Sequence, residues 1–332
     1  HMVFVCATAR RRGRIVFSLS LANRKNVMTT GQIEQQEYWV QKDDVRLFVF
    51  RKRLAGASAD APVLFLVHGS SLCARTGFDL EVPGKPGFSM MDWFAARGFD
   101  VWTMDHENYG RSDRTDSNSD IGSGADDLAA AMSVVEAETG QKRFHFFGSS
   151  SGALRAGLFA TRHPGNVCSL TLDAFVWTGE GSPTLEKRRE NLDHFRTHPT
   201  RDVDRAFFHS IFNRDRPGLV EAGVADAFAD AEMEYGTTMP TGTYLDMCAN
   251  LPVVDPALIA CPVLILRGEH DGIATEEDLV AFFGALRSDD KQMVVLPDQA
   301  HVGTLGVNRH RFFHVLHGFL TLPERQAAIP AG

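Results

Sequence analysis

From residue 36 onward, short apolar runs alternate with amphipathic stretches. "EYWVQKDDVRLFVFRKR" (37–53) holds two β-prone runs around "KDD" and predicts a hairpin. "APVLFLVHG" (61–69) is nearly continuous in apolar residues and ends on glycine, the pattern of a strand buried on both faces. "FDVWTMD" (99–105), "RFHFF" (143–147), "CSLTLDAF" (168–175), "PVLILRG" (262–268) and "KQMVVLP" (291–297) repeat it. Between them, Ser89 is placed to cap a helix over "MMDWFAARG" with Gly98 as its stop, and "GADDLAAAMSVVEAETG" (124–140) predicts a second helix. Strands alternating with helices imply βαβ units and a mostly parallel, doubly wound α/β sheet.

The alternation stops between 176 and 255. "TLEKRRENLDHFRTH" (184–198), "RDVDRAFFHSIF" (201–212) and "GLVEAGVADAFADAEMEYG" (218–236) predict helices, and the stretch has no strand run. An all-helical insertion between two strands of one sheet predicts a cap over the sheet's C-terminal edge, where doubly wound folds bind ligands. The expected division is a core of 29–175 and 256–325 with a cap of 176–255. The loop 70–89 is long enough to form a functional wall. Ser71, Phe78, Phe88 and Trp177 are pocket candidates, Trp177 equally readable as packing.

Composition changes this picture little. The 332 residues are 44% hydrophobic and 23% charged, ordinary for a globular chain. A net charge of −8 argues against nucleic acid or an anionic membrane as the main partner. Five scattered cysteines without CxxC spacing suggest a reducing, cytoplasmic setting. No apolar run is long enough for a membrane span. Residues 1–28 stand apart as an N-terminal extension. His1-Met2 has the form of a cloning remnant, and 3–28 is basic around "IVFSLSLA". Its arginine pair is similar to a twin-arginine signal, but no small-residue cleavage site follows, so export is the lesser alternative to a segment upstream of Met28.

The candidate chemistry lies in "RFHFFGSSSGALRAG" (143–157). At a tight strand-to-helix turn, the residues two before and two after an exposed nucleophile must be very small. Ser150 has Gly148 and Gly152 there. Ser149 would have Phe147, and Ser151, with Ser149 and Ala153, is the weaker alternative. A serine hydroxyl needs an adjacent base oriented by a carboxylate. His301 follows the last strand run and Asp271 the one before it, so both should reach the edge that carries Ser150; Asp173 is the rival acid. His310, His314 and His317 lie away from the apolar stripe of the last helix, which argues for a solvated face rather than a metal site.

The order Ser150, Asp271, His301, with "FLVHGS" before it and "DHENYGRSD" after the next strand, resembles the α/β-hydrolase superfamily over residues 36–322. Asn108 stands where that family usually has glycine, a mild departure because Asn tolerates left-handed backbone. The resemblance implies a triad of Ser150, His301 and Asp271 and an oxyanion hole from the N–H groups of Ser70 and Ser151, with Ser71 the neighbouring option. It also implies an acyl-enzyme, no metal and no organic cofactor. His68 is expected to be structural, beneath the loop. A small-molecule ester with a hydrophobic part is the expected substrate, and a homodimer is left open. The same triad serves amidases, lactonases and carbon–carbon bond hydrolases; an aminopeptidase would need acids to hold an amine, for which Glu232 and Glu234 are candidates. A non-enzymatic ligand receptor on this fold is the reading from another class.

Overall fold

A computed structural model describes residues 31–323; the 1–28 extension lies outside the described residues. Strands β1 (Ile33–Lys42) and β2 (Val45–Leu54) pair antiparallel, with Lys42 opposite Val45. The "KDD" signal is thus a tight turn, in which Asp43 takes φ 51°, a backbone that Asp accepts readily. The apolar runs become β3 (Val63–Val67), β4 (Asp100–Met104), β5 (Phe144–Ser149), β6 (Val167–Asp173) and, after a long interruption, two further strands.

Inside the interruption are β7 (Thr200–Asp202) and β8 (Thr238–Pro240), which pair only with each other. The expectation of a segment without strands is therefore corrected. Three residues are too few to show an alternating pattern, and nothing local signals the pairing. The chain then re-enters the main sheet as β9 (Val263–Gly268) and β10 (Lys291–Leu296). The eight-stranded order is β1-β2-β4-β3-β5-β6-β9-β10, parallel from β4 to β10 and antiparallel at the β1 and β2 edge.

β3 explains why the central strands read as continuous apolar runs. Val63, Phe65 and Val67 enter one core, with the helices Ile121–Thr139 and Ser151–Arg162. Leu64 and Leu66 enter the other, with Met90–Ala95 and Arg309–Leu320. Successive side chains point to opposite faces, and both faces are covered.

The caps set the helix bounds. Ser89 Oγ accepts from the Asp92 N–H at 2.9 Å, and Gly98 turns the chain at φ 89°. The helix expected from 124 begins at Ile121, because Asp120 Oδ1 accepts from the Ser123 N–H at 2.7 Å. The expected helix over 184–198 is two, Pro183–Arg189 and Leu192–Thr197, parted where Asn191 leaves helical backbone. Among the described residues no helix is long and apolar enough to cross a membrane.

One buried ion pair ties the antiparallel edge to the parallel sheet. Arg51 on β2, 3% exposed, donates through Nε to Asp100 Oδ1 on β4 at 2.8 Å and through Nη2 to the other carboxylate oxygen. Arg51→Met leaves that carboxylate buried without its partner and is expected to cost about 3–5 kcal/mol, read as a lower midpoint in urea. The double variant Arg51→Met, Asp100→Leu should regain most of the loss.

Candidate active site

β5 ends at Ser149, and the helix Ser151–Arg162 starts one residue later. Ser150 makes the whole turn, at φ 59° and ψ −125°, a region costly for any residue with a side chain. The flanking glycines make it feasible. A Cβ on Gly148 would lie 2.4 Å from the Gly152 carbonyl oxygen, and one on Gly152 would lie 2.2 Å from that of Val67. The Ser150 N–H donates to the Asp173 carbonyl at 2.8 Å and secures the turn.

The three serines diverge from there. Ser149 Oγ donates to Asp173 Oδ2 at 2.8 Å, and Ser151 Oγ accepts from Ser70 Oγ at 2.6 Å. Ser150 Oγ lies 3.0 Å from His301 Nε2, and His301 Nδ1 lies 2.9 Å from Asp271 Oδ1. The loops after β5, β9 and β10 bring these three groups together. Burial pushes the Asp271 carboxyl up, but His301, the Ile273 N–H and Arg214 together outweigh it and hold it below the usual carboxylate range. An ionised Asp271 fixes the proton on Nδ1, so Nε2 is free to take one from Ser150. Asp173, the rival acid, has Ser149 rather than His301 as its side-chain partner; burial drives its carboxyl well above the usual range.

Ser70 follows β3 and faces Ser151. Neither N–H has an acceptor among the described residues. A Cβ on Gly69 would lie 3.2 Å from Ser150 Cβ, so this loop packs directly on the elbow. His68 sits beneath it: Nε2 accepts from the His106 N–H at 3.1 Å, which leaves Nδ1 to donate to the Gly69 carbonyl at 2.8 Å. Burial pushes the His68 imidazolium well below its ordinary pKa, so the ring is a neutral brace.

Ser150 and His301 open on a cavity of about 940 Å³, walled on one side by strand-end loops and on the other by the helical segment. Ser71 and Phe78 line it. Trp177 does not: its indole donates to the Val254 carbonyl at 3.2 Å and packs against Phe282, so the pocket expectation is corrected to packing. Phe88 lies in a satellite core under the Arg309 guanidinium, 3.7 Å from its ring centre. Glu232 is buried, accepting from the Cys73 N–H at 2.8 Å with its carboxyl pushed up to about 7 by burial, and Glu234 is exposed; neither lines the cavity. His310 and His314 are exposed, whereas His317 is half-buried against Trp93 and Phe99. Sequence reasoning missed Arg188, Arg201 and Tyr244 in the lining. In an amphipathic stretch, an arginine facing a cavity looks the same as one facing water.

This fold and this constellation define an α/β-hydrolase. The chain belongs to the family described as "Serine aminopeptidase, S33", which matches residues 88–304, about two thirds of its length. Among solved structures, it is similar to a thermophilic esterase from Thermogutta terrifontis, with 19% identity over 86% of this chain and 98% of the other and a TM-score of 0.61. The enol-lactonase from Burkholderia xenovorans LB400 shares 18% identity over 86% and 100%, TM-score 0.58. A proline iminopeptidase of Mycobacterium smegmatis shares 21% over 86% and 97%, TM-score 0.60. At these identities the likeness is one of fold. No curated protein matches the chain.

The elbow sterics carry a direct prediction. Gly152→Ala should lower the melting temperature by an amount equivalent to about 1–3 kcal/mol or more, because the atoms its Cβ meets are backbone. Gly165→Ala, with nothing within 4 Å of the added carbon, should melt close to the parent protein.

Proposed function

We propose that the protein is a carboxylic ester hydrolase that works through an acyl-enzyme on Ser150. The observation that carries this reading is the relay from Ser150 Oγ to His301 Nε2 at 3.0 Å and from Nδ1 to Asp271 at 2.9 Å, opening on the cavity. As Ser150 attacks the acyl carbon, its proton passes to Nε2, and Asp271 stabilises the imidazolium that results. The N–H groups of Ser70 and Ser151 receive the oxyanion, each worth about 3–4 kcal/mol in the transition state. The imidazolium protonates the departing alkoxide. A water molecule, deprotonated by His301, then attacks the acyl carbon and releases the acid. The helical segment 176–255 serves as the cap that shapes the substrate cavity.

The family description raises an aminopeptidase as the second reading. The cavity speaks against it. Its lining carries Lys187, Arg188, Arg201 and Arg214 against a single carboxylate, Asp202. A substrate ammonium would meet like charge there, and an ester needs no ammonium site.

The test combines active-site labelling with substrate turnover. A fluorophosphonate should label Ser150, and p-nitrophenyl esters of short acyl chains should turn over faster than the matching anilides. Ser150→Ala should lose labelling and about a thousandfold or more in turnover, whereas Ser149→Ala should stay within about tenfold. Label on Ser151, or full activity in Ser150→Ala, would overturn the assignment.

A further inference from the structure

The cavity wall also carries a second cluster of charge. Arg188, on the helix Pro183–Arg189, and Arg201, on β7, hold their guanidiniums over the ring of buried Tyr244, 4.1 and 4.4 Å from its centre. Tyr244 Oη lies 3.1 Å from Ser71 Oγ, which also accepts from Arg201 Nη2 at 3.1 Å. Arg188 Nη1 and Arg201 Nε are shut off from solvent and have no acceptor among the described residues. Arg214, the neighbouring cation, is already satisfied by Asp215 through two hydrogen bonds of 2.9 and 3.0 Å. Among the described residues the first two have no such carboxylate. Two cations side by side on the cavity wall, with no salt-bridge partner among the described residues, form an unfavourable arrangement that a bound anion would relieve.

We propose that this cluster is an anion subsite and that the substrate is an ester bearing a free carboxylate, held by Arg188, Arg201 and the Tyr244 hydroxyl while Ser150 attacks the ester carbon. The proposal rests on the ester-hydrolase reading and narrows it. Guanidinium donors match the two oxygens of a carboxylate, and a weakly hydrated guanidinium is the cation best suited to a partly dry site. Ser71, which joins the cluster, directly follows Ser70, whose N–H receives the oxyanion in the proposed mechanism. Anion subsite and reaction centre therefore share one loop, which fits a half-ester of a short dicarboxylic acid.

The comparison that tests it is mono-4-nitrophenyl glutarate against its methyl diester, which has the same chain without the charge. The parent protein should favour the anionic ester by about tenfold or more in kcat/KM. Arg188→Gln and Arg201→Gln should each remove most of that preference, chiefly through KM, and Arg201→Lys should retain more of it than Arg201→Gln. Equal use of both esters, or a preference that survives both glutamine variants, would overturn the proposal.

A binding readout separates this from failure of the hydrolase reading. Burial opposes ionisation of Tyr244, but Arg188 and Arg201 outweigh it and bring the phenol down to about 8; the other three tyrosines ionise above their ordinary value. Free glutarate added to Ser150→Ala protein should move this first tyrosinate absorbance step to higher pH, and the shift should vanish in Arg188→Gln, Arg201→Gln protein. A step that glutarate does not move would overturn the subsite. A step that glutarate moves, in company with a parent protein that hydrolyses neither ester, would retain the subsite and sink the hydrolase reading.

Discussion

The site depends on a steric constraint at one turn. β5 must become a helix within a single residue, and Ser150 can adopt the required backbone only because the positions two before and two after it lack a Cβ. The consequences extend beyond the nucleophile. With no side chain at Gly152, the helix Ser151–Arg162 approaches the carbonyls of Val67 and His68 at the end of β3. That closeness brings Gly69 and Ser70 onto the elbow, while the Ser150 N–H binds the end of β6. Three strands are thereby held in register with one hydroxyl.

The loop after β3 is also supported from below by a polar chain. His68 braces Gly69 and accepts from the His106 N–H; His106 Nδ1 lies 3.1 Å from Asp127, which pairs with Lys42 on β1. Burial pushes both imidazoliums well below their ordinary pKa, so this chain carries no titrating charge beneath the reaction centre near neutral pH. Two charged features of the site stand apart from these uncharged rings. One is the ionised Asp271 behind His301. The other is the arginine wall contributed by the helical segment.

The two features sit on different parts of the fold. The loops at the ends of β5, β9 and β10 carry Ser150, Asp271 and His301 on rigid elements, where small displacements would be costly. Much of the rest of the cavity is faced by the segment 176–255, whose Phe208, Phe212 and Phe228 share a small core with Leu80, Phe88 and Tyr109.

The order of the strands' apolar runs, the hairpin and the glycine spacing around Ser150 were legible in the chain alone. Burial on both faces writes itself as an unbroken apolar run, and a crowded turn writes itself as glycine at fixed distances. The positions of Asp271 and His301 just past strand ends were legible for the same reason, since a parallel sheet delivers all such loops to one edge. What only the tertiary structure decided has no local signature. The pairing of β7 with β8 spans three residues on each side, too few for a period to show. Asp173 ends β6 and Asp271 follows β9, and only the meeting of distant elements gives His301 to Asp271 and Ser149 to Asp173. The burial of Trp177 against Phe282 and the turning of Arg188 and Arg201 toward the cavity depend on which elements pack together, because a side chain's sequence neighbours do not record whether it faces solvent, core or ligand.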